Sequence, residues 1–187
     1  LLLLIFGASC NEESAFDADQ LRAQRVTSPK TQAERDKNQI LDYAIQNQLP
    51  IQATASGLYY HLENPGTGED FGKTSVATIH YTVKRLSDGF ETASTRKNNK
   101  PYQYALGNEL IEGFKEAIPL LKQGGKGTVL LPSQLAHGSR GAGNFYPPNT
   151  VLIYEIEVLA LEQKATQNNR QSTKDQKAIA AYIAKKQ

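Results

Sequence analysis

Two segments of strict alternation constrain the fold of this chain more than any other feature. In VATIHYTVKRL, Ala77, Ile79, Tyr81 and Val83 share one face while Thr78, His80, Thr82 and Lys84 take the other. In VLIYEIEVLAL, Leu152, Tyr154, Ile156 and Val158 point inward and Ile153, Glu155 and Glu157 outward. A period of two belongs to a strand with one face on a core and one in water, the habit of antiparallel sheets. SGLYYHLENPGTGED adds a short strand and a Pro-Gly turn, PYQYAL a strand with Tyr102 and Tyr104 side by side, and TVLLP a strand with Val129 and Leu131 on one side. Between them only a short helix fits: Ile111, Phe114 and Ile118 recur at helical spacing, Asn108 is placed to cap it, and Pro119 limits its length. Short strands, turns and one intervening helix predict an antiparallel α+β domain.

The chain has 187 residues, enough for one well-buried domain with appendages. The pattern TQAERDKNQILDYAIQNQLP predicts a helix over 31–48, apolar on one side only and ended by Pro50. Before it, from Asn11 to about Lys30, the sequence is polar and without apolar period, which reads as a mobile tether. The opening LLLLIFGASC is too short to span a bilayer and is similar to the tail of a secretory h-region. Its Cys10 follows Gly-Ala-Ser as in the lipobox of bacterial lipoproteins, although Gly7 stands where leucine is usual, and lipidation of Cys10 is the expectation over an ordinary cleaved signal with an incidental cysteine. The absence of any methionine leads us to expect a fragment or a processed form. At the other end KAIAAYIAKKQ is weakly helical, and DQKAIAAYIAKKQ shares Asp, Ile, Tyr and Gln with DKNQILDYAIQNQ at identical spacing, through chance or through duplication. The divisions expected are thus a truncated lipoprotein signal over 1–10, tether and helix over 11–51, the domain over 52–162, and a polar linker with a C-terminal helix over 163–187, where a second copy would begin.

Composition narrows the chemistry. A net charge of +2 without a dense Lys/Arg run gives no footprint for nucleic acid. His61, His80 and His137 lack metal-ligand spacing, and the one cysteine is committed to the N-terminus, so neither a metal site, a cofactor nor a thiol nucleophile is expected. What remains is aromatic: Tyr81, Tyr102, Tyr104, Phe114 and Tyr154 come from inward faces, and the loop before the last strand adds Phe145 and Tyr146. Each taken singly is ordinary core. Together they exceed what a small core holds, and buried tyrosine hydroxyls require partners, which points to a ligand pocket with polar tips.

The succession HYTV, SDGF, RKNNKPYQYALG, ELIEGFKEAI, GGKGTVLLP, LAHGSRG and FYPPNTVLIYEIEVLALE resembles FKBP-type peptidyl-prolyl isomerases from about Gln52 to Glu162. The helix before the domain, with ASGLYY after it, is similar to lipid-anchored members from Gram-negative bacteria, some tied to gliding motility. The resemblance implies an antiparallel sheet of about five to six strands half-wrapped around one short helix, with helical extensions at both ends of the chain. It implies a pocket with Phe114 as floor, where the family most often has tryptophan, and with walls from Tyr81, Tyr102, Tyr104, Leu110, Ile111 and Tyr154. It further implies a ligand carbonyl held by the Ile111 backbone N–H and a flap that places Ala136, Phe145 and Tyr146 over the pocket. His137 stands where the family commonly has tyrosine, and imidazole can still donate a hydrogen bond. For the family's Phe-Asp pair, DGFETAST offers either Phe90 and Glu91 or Thr92 and Ala93; Phe90 and Glu91 are favoured because the ring is needed.

The function implied is peptidyl-prolyl isomerisation of exported proteins at the envelope of a Gram-negative bacterium, with macrolides as further pocket ligands and the membrane reached through the lipid anchor. Two other readings stand beside it: a non-catalytic chaperone or adaptor holding Pro-containing segments, and a structural envelope lipoprotein.

Overall fold

The computed structural model describes residues 16–163 except 69, 73, 74, 106, 107 and 109. Cys10, the expected signal segment and the expected C-terminal helix lie outside the described residues. Among the described residues seven strands, one more than the upper expectation, form one antiparallel sheet: β1 (Gln52–Ala53), β2 (Tyr59–Asn64), β3 (Ser75–Arg85), β4 (Glu91–Ser94), β5 (Tyr102–Ala105), β6 (Lys126–Leu131) and β7 (Leu152–Gln163). The order is β1-β2-β6-β7-β3-β4, and β5 also pairs with β3. The eleven-residue β3 therefore shares one edge between two partners, β5 against Val76–Ile79 and β4 against Thr82–Lys84. Register shifts interrupt the pairing at Thr78/Ile79, Val83/Lys84 and Leu62/Asn64, and such bulges bend and twist the strands that carry them.

One face of the sheet packs on the short helix α3 (Glu112–Ala117), which continues as a single 3-10 turn through Ile118–Leu120. Pro119 supplies no amide hydrogen for a further α turn, so the α-helix ends where the sequence placed its limit. The inward residues of β3, β6 and β7 meet Phe114, Ala117 and Ile118 in this core, with Ala77, Ile79, Val129, Leu131, Leu152 and Ile156 fully buried. Asn108 is not the cap: the N-cap is Ile111, and the Asn108 amide instead donates to the Tyr102 hydroxyl at 3.2 Å.

The other face is covered by the N-terminal segment. Helix α2 (Gln32–Gln46) opens with a capping box in which Thr31 and Glu34 serve each other's backbone N–H, and it turns Ile40, Leu41 and Ala44 onto Tyr59, Leu130, Val151 and Ile153. This corrects the outward assignment of Ile153, which is 3% exposed because a second layer lies over it. The tether reading also fails for its latter half. Helix α1 (Ala18–Ala23), capped by the Asp17 carboxylate, buries Leu21 in the same cluster. The loop after it is pinned to α2 by two hydrogen bonds between the Val26 backbone and the Asn38 amide, each 2.8 Å, and by the Arg25–Asp42 ion pair. Among the described residues no helix is long and apolar enough to cross a membrane.

Candidate active site

Tyr81 stands at the centre of β3 on the α3 side, and its neighbours follow from strand register and helix spacing. Its ring meets Phe114 edge-on at 5.5 Å and 72° and Tyr102 at 6.1 Å and 83°, and lies tilted to Tyr154 at 6.1 Å. Phe114, 3% exposed, touches Tyr154 at 5.1 Å and Tyr104 edge-on at 6.0 Å. Edge-to-face contacts favour aromatic pairs beyond the area they bury, so the rings hold one another in fixed orientations. Above Phe114 they leave a cavity of about 600 Å³. Its walls are Tyr81 and Val83 from β3, Ala93 from β4, Tyr102 from β5, Leu110, Ile111 and Lys115 around the start of α3, Tyr154 from β7, and His137 and Tyr146 from the loop before β7.

Of the residues expected here, the structure brings together Tyr81, Tyr102, Leu110, Ile111, Phe114, His137, Tyr146 and Tyr154. Tyr104 lies below them, fully buried and stacked on Phe71 at 5.5 Å, so it supports the floor rather than lining the cavity. Ala136 packs against the core beside His137 without facing the cavity. The choice between Phe90-Glu91 and Thr92-Ala93 is corrected. Val83 faces inward and Ala93 is its partner across the strand pair, and directly paired residues point to the same side. Ala93 therefore reaches the cavity, while Thr92 accepts a hydrogen bond from the Tyr146 hydroxyl at 2.9 Å. Phe90 is 46% exposed outside, with the Arg85 guanidinium 4.7 Å from its ring centre, and Glu91 pairs with Lys97.

The loop from Ala136 to Asn149 is a closed flap. Ala142 and Tyr146 exchange backbone hydrogen bonds, and Asn149 N–H donates to Gly138 O at 2.8 Å. Gly141 has φ +65, and a Cβ there would run into the Tyr146 carbonyl, so the crossing of the flap's two arms depends on glycine. This tip separates the adjacent aromatics. Tyr146 turns inward, 4.4 Å from the His137 ring, and Phe145 turns outward, 57% exposed, to stack on Phe90 at 6.3 Å and 13°. Val83 and Lys115 were missed as lining residues, while Ala93 was weighed but not favoured. Val83 shares the face of Tyr81, and Lys115 follows Ile111 by four on the helix, so both signals were available.

Burial disfavours charge on the imidazole and phenols of the cavity, whereas Lys115 reaches its wall paired with Glu112. Burial lowers the His137 pKa, so its imidazole is neutral at neutral pH and carries one N–H donor. Burial also raises the pKa of Tyr81, with smaller contributions from Tyr102 and Tyr146, and raises that of Tyr154 strongly, so both remain phenols. Among the described residues neither the Tyr81 nor the Tyr154 hydroxyl has a hydrogen-bond partner, and the Ile111 N–H donates to none of them. Among the described residues no group of three or more His, Cys, Asp or Glu side chains could hold a metal ion.

A family model described as FKBP-type peptidyl-prolyl cis-trans isomerase matches residues 68–159. The FK506-binding protein 1A of Aspergillus fumigatus is 36% identical over 110 residues, which cover 58% of this chain and 97% of that protein. The chain belongs to the FKBP-type isomerase family. Among bacterial FKBP-type relatives, the isomerase FkpA of Aeromonas hydrophila is 38% identical over 115 residues, covering 62% of this chain and 42% of the relative. The chain spans about half the length of the bacterial relatives it matches. The crystal structure of AtFKBP13 superposes with a TM-score of 0.54 at 30% identity, covering 59% of this chain and 97% of that one. The family match spans β3 to β7, α3 and the flap, and α1, α2, β1 and β2 lie before it.

Proposed function

We propose that the chain is a peptidyl-prolyl cis-trans isomerase acting on X-Pro bonds of exported polypeptides. The observation that supports this most is the cavity: its walls are largely aromatic and apolar, with Lys115 as the one charged lining residue, and the Tyr81 hydroxyl and Ile111 N–H have no partners among the described residues. An X-Pro bond turns slowly because amide resonance must be broken, against a barrier of about 18–20 kcal/mol. The planar ground state carries charge separation that water stabilises, and the twisted imide has lost it. A dry apolar pocket shaped for the twisted form therefore lowers the barrier without covalent or acid–base chemistry. In this reading Phe114 and Tyr154 seat the proline ring, and Tyr81 Oη and the Ile111 N–H hold substrate carbonyls. His137 and Tyr146 close the site from the flap. A macrolide that mimics the twisted imide would occupy the same walls.

A protease-coupled assay on a short X-Pro peptide tests the proposal. Turnover no faster than buffer, from protein with native circular dichroism, would exclude it. Such a result would favour a non-catalytic holder of Pro-containing segments, and one observation supports that second reading: Ala93, which carries no carboxylate, lines the cavity where the Thr92-Ala93 alternative would put the family's acid. We further propose that Cys10 carries a lipid and anchors the chain at the envelope of a Gram-negative bacterium, on the strength of the apolar run and small residues before it. Labelling with a fatty acid analogue that disappears in Cys10→Ser checks this, and unchanged labelling would refute it.

A further inference from the structure

A carboxylate withdrawn from water must be met by a cation or filled with hydrogen bonds. Asp36, at the start of the second turn of α2, is 0% exposed and forms no ion pair among the described residues. Its Oδ1 accepts from Gln32 Nε2 at 2.6 Å, and its Oδ2 accepts twice from Ser133, from the backbone N–H at 2.9 Å and from the hydroxyl at 2.6 Å. Ser133 is also fully buried and lies 97 residues along the chain. It opens the 3-10 turn Ser133–Leu135, in which Leu135 N–H donates to Pro132 O and Ala136 N–H to Ser133 O. The next residue is His137, on the cavity wall.

Apolar contacts from Ile40, Leu41 and Ala44 already hold α2 on the sheet, but such contacts are non-directional and tolerate small slides. Two charge-assisted bonds to one residue fix Ser133 both along and across the helix. A buried charge is a poor way to add stability, and its attested use is to specify one arrangement. We propose that Asp36 is a positioning residue: from the far face of the sheet it pins the root of the flap, and through it the place of His137 over the pocket. The kinetic part of this inference rests on the isomerase reading.

The test uses the full chain in four forms: parent, Asp36→Asn, Ser133→Ala and Ile40→Val, the last loosening the same helix without touching Ser133. Hydrogen exchange at the Leu135 and Ala136 amides is expected to quicken about tenfold in the first two variants and to stay unchanged in Ile40→Val. KM for an X-Pro peptide is expected to rise roughly three- to tenfold in the same two, the scale of sub-ångström misplacement of contacting groups, with kcat nearly unchanged. The double variant should be no worse than the worse single one. Unchanged exchange and KM in folded Asp36→Asn would overturn the proposal, as would an equal effect from Ile40→Val. If the parent shows no turnover, the isomerase reading falls and the exchange rates alone decide the role of Asp36.

Discussion

Replacing Tyr81 with phenylalanine removes one oxygen from the centre of the candidate site and leaves every ring in place. The hydroxyl has no partner among the described residues, and Phe keeps the edge contacts to Phe114 and Tyr102. Unfolding free energy should therefore change by less than about 0.5 kcal/mol, as for a substitution that breaks no buried contact. Catalysis should respond differently. Because burial keeps Tyr81 a phenol, it is a neutral donor through the neutral pH range, and a neutral hydrogen bond contributes about 0.5–1.5 kcal/mol net. If that bond forms to the carbonyl of the twisting imide, its loss lowers kcat/KM by roughly two- to thirteenfold, since about 1.4 kcal/mol is a factor of ten. The protease-coupled assay gives kcat/KM, and urea denaturation of the same samples gives stability. Unchanged kcat/KM would refute the donor role. A drop matched by lost stability would show that the hydroxyl belongs to the core instead.

Phe114→Ala empties the floor and should cost about 3–5 kcal/mol in urea denaturation, with loss of the macrolide binding proposed above; retained affinity in folded protein would rule out Phe114 as the floor. Burial lowers the folded-state pKa of His137 below its unfolded value near 6.5, so the unfolded chain binds the proton first. Stability is then full above about pH 6.5 and declines as pH falls through the window beneath it, and His137→Gln should flatten that part of the urea profile relative to parent. Gly141→Ala forces the flap apart at Tyr146, against a positive φ that costs a side chain about 1–3 kcal/mol. Near-ultraviolet dichroism of the tyrosines and KM should change while the far-ultraviolet spectrum persists, and an unaltered KM would contradict the flap's role.

The inward faces of β3, β6 and β7 and the face of α3 were legible, because a period of two or of 3.6 survives whatever the turns do. What alternation could not register is a second layer. Leu130 and Ile153 occupy positions that read as outward, and α2 buries them. Helix α1 escaped notice since six residues with one buried leucine carry no period. The pair Phe90-Glu91 was favoured over Thr92-Ala93 for a different reason: the register shift at Val83/Lys84 decides which residue after the turn faces inward, and a bulge leaves no mark in composition. Phe145 and Tyr146 diverge because the flap tip turns between them, which depends on backbone angles at Gly141 and Gly143. The Asp36–Ser133 link joins residues remote in sequence and has no local signature at all.

The covering of the sheet by α1 and α2 also governs how the chain can be shortened. Removing residues up to Gly68 would delete β2, whose pairing fills one edge of β6, and would leave that edge with unmet backbone donors and acceptors. It would at the same time bare Leu130, Val151 and Ile153 as one greasy patch beside the open edge. A fragment cut to the isomerase-like strands would thus keep its pocket residues yet present two adhesive surfaces, and it would self-associate before its activity could be read. A soluble version needs the N-terminal hairpin of helices, or polar substitutions at those three positions and a charged residue on β6.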